Sequence, residues 1–310
     1  MGRKSNGSRA KKRLLQVIVS SAVTLAVIGA LYYGTQGRDI PVLAPSGFIA
    51  QQQLYLILFT AALGLLVIIP VFYLLFSIAH RYRAGNKKAK YEPNLKDSPV
   101  LEMIWWGIPC LIILVLAIVT WISTHALDPY RELESKVEPV NVQVIALNHN
   151  WLFLYPDHNI ATLNTLTIPQ HAPINFTITA DAPMNSFWIP ALAGQVYAMS
   201  GMSMKLHLVA DEVGVYNGQA ANINGSSYAS MRFKVYAVHP GRFDSWLDKT
   251  AQAPNILSTA TYNELAKLTE RGPEKAFSLA NKGLYDEVVM KYMVPSDDKH
   301  NKKGTAEGAH

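Results

Sequence analysis

The chain has 310 residues, half of them hydrophobic and only 16% charged, and its mean hydropathy is +0.11. This composition is typical of a membrane protein. The net charge of +6 and the isoelectric point near 9.2 do not indicate nucleic-acid binding, because the basic residues cluster at the ends of apolar runs. The single cysteine, Cys110, lies inside an apolar run, which excludes an intrachain disulfide, a zinc site or CxxC chemistry. We interpret it as a small buried hydrophobic residue.

Three apolar stretches are long enough to cross a bilayer, which takes about 20 residues. They cover residues 14–33, 54–79 and about 103–125. Pro70 and Pro109 fall in the second and third stretches, where neighbouring helices can tolerate a proline. The first stretch is either a retained helix or a cleaved signal peptide, since a basic arm and small residues near Gly29 also fit a signal. The topology of the other two spans is the same in both cases.

The distribution of Lys and Arg predicts the orientation of these spans. Six basic residues precede the first span, and six more lie between the second and third spans, in residues 80–100. The linker between the first two spans has only Arg38, next to Asp39. Both basic segments are therefore expected in the cytoplasm, and everything after His125 is expected outside it, which in a bacterium is the periplasm.

From Val140 onward the pattern changes to alternating apolar and polar residues. Short segments rich in Val, Ile, Thr and Tyr, such as VNVQVIAL and INFTITA, are separated by Pro, Gly and Asn, as in a β-sandwich or barrel. Helical periodicity returns after residue 241. The sequence therefore divides into a basic arm with the first span (1–36), a transmembrane hairpin (37–128), an exported β-domain (129–240), a helical C-terminal arm (241–294) and a tail expected to be disordered (295–310).

Residues 214–231, GVYNGQAANINGSSYASM, have the frame of a copper-binding loop. A helical hairpin followed by an exported β-domain with such a loop resembles subunit II of the haem–copper respiratory oxidases, over about residues 45–293. Within that superfamily the chain is similar to subunit II of the bo-type ubiquinol oxidases, including the helical arm. The resemblance implies two to three transmembrane helices and an all-β, cupredoxin-like Greek-key sandwich.

The metal ligands of that family are missing here. The family pattern is Cys-x-Glu-x-Cys-x-x-x-His-x-x-Met, with a further His upstream, and a binuclear copper centre depends on its thiolates and imidazoles. The matching positions are Ala220, Asn222, Asn224, Tyr228 and Met231, with Asn185 at the upstream His. The resemblance thus implies a lost copper site and no metal in this chain. The present residues are equally those of a polar turn, and we expect the three asparagines and Tyr228 to hydrogen-bond with one another and with the backbone.

Two further matches concern protons and electrons. SPVLEMIWWGIP resembles the family's Leu-Glu-x-x-Trp run, whose Glu, here Glu102, lies at the mouth of the proton channel of subunit I. The alternative is that Glu102 only favours the helix N-terminus. At the electron-entry Trp-x-Trp run of members that use cytochrome c, this chain has His149 and Trp151. The alternative is that Trp151 is an ordinary strand aromatic.

The resemblance implies a non-redox subunit of a proton-pumping quinol oxidase that oxidises ubiquinol and reduces dioxygen to water. Haems and catalytic copper would lie in subunit I, and this chain would bind no cofactor. Its expected partners are subunit I, subunits III and IV, membrane lipid and, through the complex, ubiquinol; its expected location is the bacterial inner membrane. The alternatives are a membrane-anchored cupredoxin-like assembly or binding protein, and subunit II of a cytochrome c oxidase.

Overall fold

The computed structural model describes residues 40–83, 86, 89, 98–223, 225 and 228–293. The predictions for the first apolar span, for most of the cytoplasmic segment 80–100, for Asn224 and for the 295–310 tail lie outside these residues.

Two long helices follow the expected pair of spans. Helix α1 is Phe48–Arg81 and helix α2 is Pro99–Ala126, with 34 and 28 residues. At 1.5 Å per residue they are about 51 and 42 Å long, against a hydrocarbon core of about 30 Å. Their apolar side chains are largely exposed; Trp105, for example, is 76% exposed. Both internal prolines are accommodated without ending a helix, so the predicted hairpin is confirmed.

The β-domain is a sandwich of two sheets. One sheet has seven strands in the order β11-β12-β3-β2-β1-β5-β8, and the other has five in the order β4-β10-β9-β6-β7. The pair β1·β5 and the pair β4·β10 are parallel, as is the short pair β11·β12, and the remaining pairs are antiparallel. The strands are β1 Val140–Ala146, β2 Trp151–Tyr155, β3 Ile160–Leu163, β4 Thr165–Pro169, β5 Ile174–Ala180, β6 Asn185–Trp188, β7 Val196–Ala198, β8 Met204–Leu208, β9 Gly214–Ala220, β10 Arg232–Val238, β11 Ile256–Leu257 and β12 Lys275–Leu279. This confirms the cupredoxin-like sandwich.

Strand β2 is buried on both of its faces. Its odd-numbered aromatic residues point between the sheets, where Trp151 lies 5.3 Å from Phe187 and 5.6 Å from Phe233, measured between ring centroids. Its even-numbered residues, Leu152 and Leu154, point to a second apolar cluster beneath the C-terminal arm. Alternation along a single strand therefore supplies two cores at once.

The C-terminal arm contains helices α3 Pro240–Ala251, α4 Thr259–Ala266 and α5 Leu284–Met293. It also contains β11 and β12, which the sequence patterns did not predict. Strand β12 pairs antiparallel with β3 and extends the seven-stranded sheet. The arm is therefore part of the β-domain's sheet and core, in addition to supplying the expected helices.

The start of α1 is anchored in the β-domain. The N–H of Ser46 donates to the carbonyl of Ala191 at 2.8 Å, and the carbonyl of Ser46 accepts from the N–H of Asp211 at 3.0 Å. The carboxylate of Asp211 accepts a hydrogen bond from the N–H of Phe48, so the β-domain supplies a cap for the membrane helix. Burial raises the pKa of Asp211, and the nearby His171 and the Phe48 bond offset part of that rise.

Candidate functional site

The copper-loop frame lies at one end of the five-stranded sheet. The first seven residues of the frame, Gly214–Ala220, form strand β9, and residues 221–231 connect it to β10. Phe187 of β6 stands opposite Ala220 of β9. Two residues before Ala220 on the same strand, Gly218 has no room for a side chain, because a methyl group there would overlap the ring of Phe233.

Asn185 lies at the centre of this end of the sandwich. It is fully buried, and its Nδ2 donates to the Sδ of Met231 at 2.8 Å. Its Oδ1 accepts from the N–H of Ser186 at 2.8 Å. Met231 is only 1% exposed, so both partners are shielded from water. The amide at the position of the upstream imidazole thus bonds to the one sulfur that the loop retains.

The remaining positions are joined through Ser186 and Met231. The hydroxyl of Ser186 donates to Oδ1 of Asn222 at 3.2 Å. The N–H of Ala220 donates to the carbonyl of Met231 at 2.9 Å, and the N–H of Met231 donates to the carbonyl of Tyr228 at 3.1 Å. The structure therefore brings the described positions of the frame together. Asn185 and Tyr228 bond with the backbone, as expected, but the side-chain bonds run to Ser186 and Met231 and not between the asparagines and Tyr228.

These residues do not fit a binuclear copper centre. Ala220 has no donor atom, Asn185 and Asn222 offer amides, and the thioether of Met231 already accepts a hydrogen bond. Copper of this kind needs bridging thiolates and imidazoles. Within the ranges that the structure describes, no three His, Cys, Asp or Glu side chains are grouped so that they could hold a metal ion.

Glu102 lies in the first turn of α2. Pro99 occupies the first position of that helix, and the N–H of Glu102 donates to the carbonyl of Ser98 at 3.0 Å. Its side chain is exposed in the isolated chain. A carboxylate here meets the positive end of the helix dipole. Its role in proton entry stays a prediction.

The Trp151 position has the packing of a core aromatic. Trp151 has no exposed surface and lies among the phenylalanines between the sheets. Its neighbour in the run, His149, is half-buried. The ordinary reading of Trp151 as a strand aromatic therefore accounts for its position.

Sequence reasoning missed a buried carboxylate at the end of β5. Asp181 accepts hydrogen bonds from Nζ of Lys291 at 2.6 Å, from the hydroxyl of Tyr262 at 2.6 Å and from the hydroxyl of Tyr292 at 2.5 Å. Burial acts to raise the pKa of Asp181, but the bonds from Lys291 and the two tyrosines outweigh it and hold the pKa below its ordinary value. We call these four residues the arm clamp, because three of them belong to the arm. Asp181 is 81 to 111 positions away from its three partners in the sequence, so no local pattern indicates these contacts.

Three family models match the chain in succession. "Cytochrome C oxidase subunit II, transmembrane domain" matches residues 45–121, "Cytochrome C oxidase subunit II, periplasmic domain" matches residues 133–238, and "COX Aromatic Rich Motif" matches residues 251–296. The chain is also 42% identical over 286 residues to "Cytochrome bo(3) ubiquinol oxidase subunit 2" of Pseudomonas aeruginosa, which covers 92% of this chain and 85% of that protein. The chain belongs to the subunit II family of the haem–copper oxidases.

A second member, "Cytochrome bo(3) ubiquinol oxidase subunit 2" of Pseudomonas putida, is 45% identical over 256 residues, covering 83% of this chain and 82% of that protein. Among solved structures, the periplasmic domain of subunit II of cytochrome oxidase (CoxB) of Bradyrhizobium japonicum is similar at 18% identity and a TM-score of 0.36, covering 38% of this chain and 96% of that one. As a subunit II, this chain is a membrane-anchored protein with a periplasmic domain and has oxidase partner subunits such as subunit I.

Proposed function

We propose that this chain is the non-redox subunit II of a proton-pumping ubiquinol oxidase, a complex that couples quinol oxidation to the reduction of dioxygen to water. Relatives at 42–45% identity over most of the chain carry the name ubiquinol oxidase subunit 2, which supports the quinol as donor. The subunit itself carries no electrons in this account.

The observation that carries the proposal is the chemistry at the copper-loop frame. Asn185 and Met231, at two of the ligand positions, bond to each other at 2.8 Å. Ala220, at a thiolate position, offers only backbone, and its N–H is bonded to the Met231 carbonyl. These side chains do not form a copper site that could accept an electron. Electrons from quinol would therefore reach the haems of subunit I without passing through the β-domain.

Glu102 is proposed to help load protons into subunit I. An exposed carboxylate at the cytoplasmic start of a membrane helix can take protons from a wide aqueous area and transfer them inward. Its location in the first turn of α2, flanked by exposed apolar residues such as Leu101 and Trp105, supports this role.

The proposed setting is the bacterial inner membrane, with subunit I holding the haems and the catalytic copper and with subunits III and IV completing the complex. The helices α1 and α2 would pack against subunit I and lipid, which supplies cover for apolar side chains that the chain alone leaves exposed. The β-domain would form a periplasmic cap. Matches to the hairpin, the β-domain and the arm together favour this over an assembly protein that works without an oxidase.

The test is a comparison of electron donors. The complex is purified through this chain, and its oxygen consumption is measured with a short-chain ubiquinol and with reduced cytochrome c. We expect rapid oxidation of the quinol and no cytochrome c oxidation above that of a haem-free blank. Rapid oxidation of cytochrome c would contradict the proposal and favour the cytochrome c oxidase alternative. Recovery of the chain without haem would favour the assembly protein.

A further inference from the structure

A cleft lies between helix α3 and the outer face of the five-stranded sheet, away from the copper-loop frame. Its volume is about 490 Å³. Helix α3 supplies one wall, and the edge strand β4 with its neighbour β10 supplies the other. The lining residues are Thr165, Thr167, Tyr236, Val238, Arg242, Ser245, Trp246 and Lys249. No carboxylate is among them.

The register of the sheet makes the surroundings of the cleft basic. Lys234 stands opposite Thr165 and Tyr236 opposite Thr167, so alternate residues of β10 and β4 share this outer face. Arg232 continues the same row of β10, and the β9 residues paired with Arg232 and Lys234 are amides. The strands therefore bring two cations and neutral polar groups to the face that α3 borders, and no acid.

Among the residues that the structure describes, the two cations beside the cleft have no side-chain partner. Some cations of the β-domain and arm are engaged: Lys291 pairs with Asp181 at 2.6 Å, and Nζ of Lys234 donates to Asn217 at 2.7 Å. For Arg242 and Lys249, no side-chain hydrogen bond or ion pair is formed with any residue that the structure describes. Arg242 and Lys249 are exposed, and because they are seven residues apart on α3 they lie on the same face of the helix, the one that borders the cleft.

The donors match an oxyanion with several acceptors. A guanidinium presents its N–H groups as a planar fork that suits phosphate oxygens, and an ammonium adds a point charge. The hydroxyl groups of Thr165 and Tyr236 are further donors at the wall, whereas the hydroxyl of Ser245 donates to the carbonyl of Gly241 at 2.9 Å. Trp246, which also packs 5.7 Å from Phe243 between ring centroids, gives the cleft an apolar side. We propose that this cleft is a binding site for a phosphate group, held by Arg242 and Lys249.

The position of the cleft allows two sources for that group. The carbonyl of Val238 accepts from the N–H of Gln170, and Nε2 of Gln170 donates to the carbonyl of Asp211, each at 2.8 Å. Asp211 in turn bonds to Ser46 and caps α1. The cleft is thus linked through Gln170 and Asp211 to the start of a membrane helix, so a phospholipid headgroup is one source of the phosphate group and free phosphate is the other. This site does not depend on the proposed electron donor.

The test is calorimetric titration of the purified complex with inorganic phosphate and, separately, with soluble short-chain phosphatidylglycerol. The double variant Arg242→Gln/Lys249→Gln removes both cations; the control Lys267→Gln/Lys282→Gln removes two exposed cations of the arm. Loss of two charge-assisted contacts should weaken binding by about tenfold or more in the first variant and leave the control unchanged. Circular dichroism and subunit content establish that both variants are folded and assembled.

The two titrants separate the sources. Tighter binding of the lipid than of inorganic phosphate, lost in the cleft variant, supports a headgroup site; equal binding of both supports a site for phosphate itself. Absence of binding by either titrant overturns the proposal, as does an equal loss in both variants, which would indicate net charge only. Loss of a partner subunit from the cleft variant, with no binding of either titrant by the unmodified complex, would identify the face as a protein contact and also overturn it.

Discussion

Replacing Asp181 with Asn tests whether the arm clamp holds the C-terminal arm on the β-domain. The substitution keeps the shape of the side chain and removes its charge. Three donors converge on this carboxylate, from Lys291, Tyr262 and Tyr292. An amide there would turn its own N–H₂ toward at least one of these donors, so a buried donor would lose its acceptor.

The expected cost follows from the burial of the partners. The side chain of Asp181 is 3% exposed, whereas that of Lys291 is 51% exposed and can return to water. The lysine pair therefore contributes little, and the cost arises mainly from the tyrosine hydroxyls and the lost charge. Hydrogen bonds to a charged group are worth about 1.5–3 kcal/mol each, so we expect a loss of about 2–4 kcal/mol. For a domain of this size, that lowers the melting temperature by roughly 4–16 °C.

The assay is thermal unfolding of the purified full chain, with hydrogen exchange of α5 as a local readout. Asp248→Asn is the matched control, because Asp248 is an exposed carboxylate of α3. A carboxylate whose pKa is lowered by folding stabilises the protein above its ordinary pKa of 3.8, and this contribution is lost as the pH falls through the lowered value. The difference in melting temperature between the unmodified chain and Asp181→Asn should therefore be largest at pH 7 and shrink below about pH 4. Equal melting temperatures of the unmodified chain and Asp181→Asn at pH 7 would show that the arm clamp does not stabilise the fold.

Three further predictions follow from the site. Gly218→Ala should destabilise the domain by about 1–3 kcal/mol in chemical unfolding, because the methyl group would overlap a core ring, whereas Gly241→Ala, in open space, should not. Met231→Leu should cost about 1–3 kcal/mol by leaving the buried Nδ2 of Asn185 without an acceptor; unchanged stability would show that this bond contributes nothing. Glu102→Gln should slow turnover of the complex by up to roughly tenfold without changing its assembly, and unaltered proton uptake would leave only the helix-end role.

The membrane hairpin and much of the sandwich follow from local patterns. The apolar runs give α1 and α2 because length and hydropathy are properties of consecutive residues. The alternation in Val140–Ala146 and Ile174–Ala180 gives β1 and β5 because alternate residues of each strand pack in the core between the sheets. Even the neighbourhood of the copper-loop positions could be predicted, since the frame fixes which residues meet at the end of β9.

The features that sequence reasoning missed depend on distant contacts. Strand β12 is only five residues long and owes its conformation to β3, more than a hundred positions earlier. Asp181 looks like an ordinary turn residue until α4 and α5 reach it from the arm. The bond between Asn185 and Met231 likewise joins residues 46 positions apart. Such contacts are set by how the sheets stack, which a local pattern does not encode.

The copper content of the chain distinguishes an emptied copper loop from one that still binds metal. The full-length chain is purified within its complex from cells grown with added copper, and its metal is measured by mass spectrometry after the chain is separated from subunit I under native conditions. The account predicts no copper bound to this chain and no near-infrared absorbance from a binuclear centre, because Asn185, Ala220, Asn222, Asn224, Tyr228 and Met231, the residues at the copper-loop positions, supply no thiolate or imidazole. Stoichiometric copper on the separated chain, with that absorbance, would contradict the loss of the copper site.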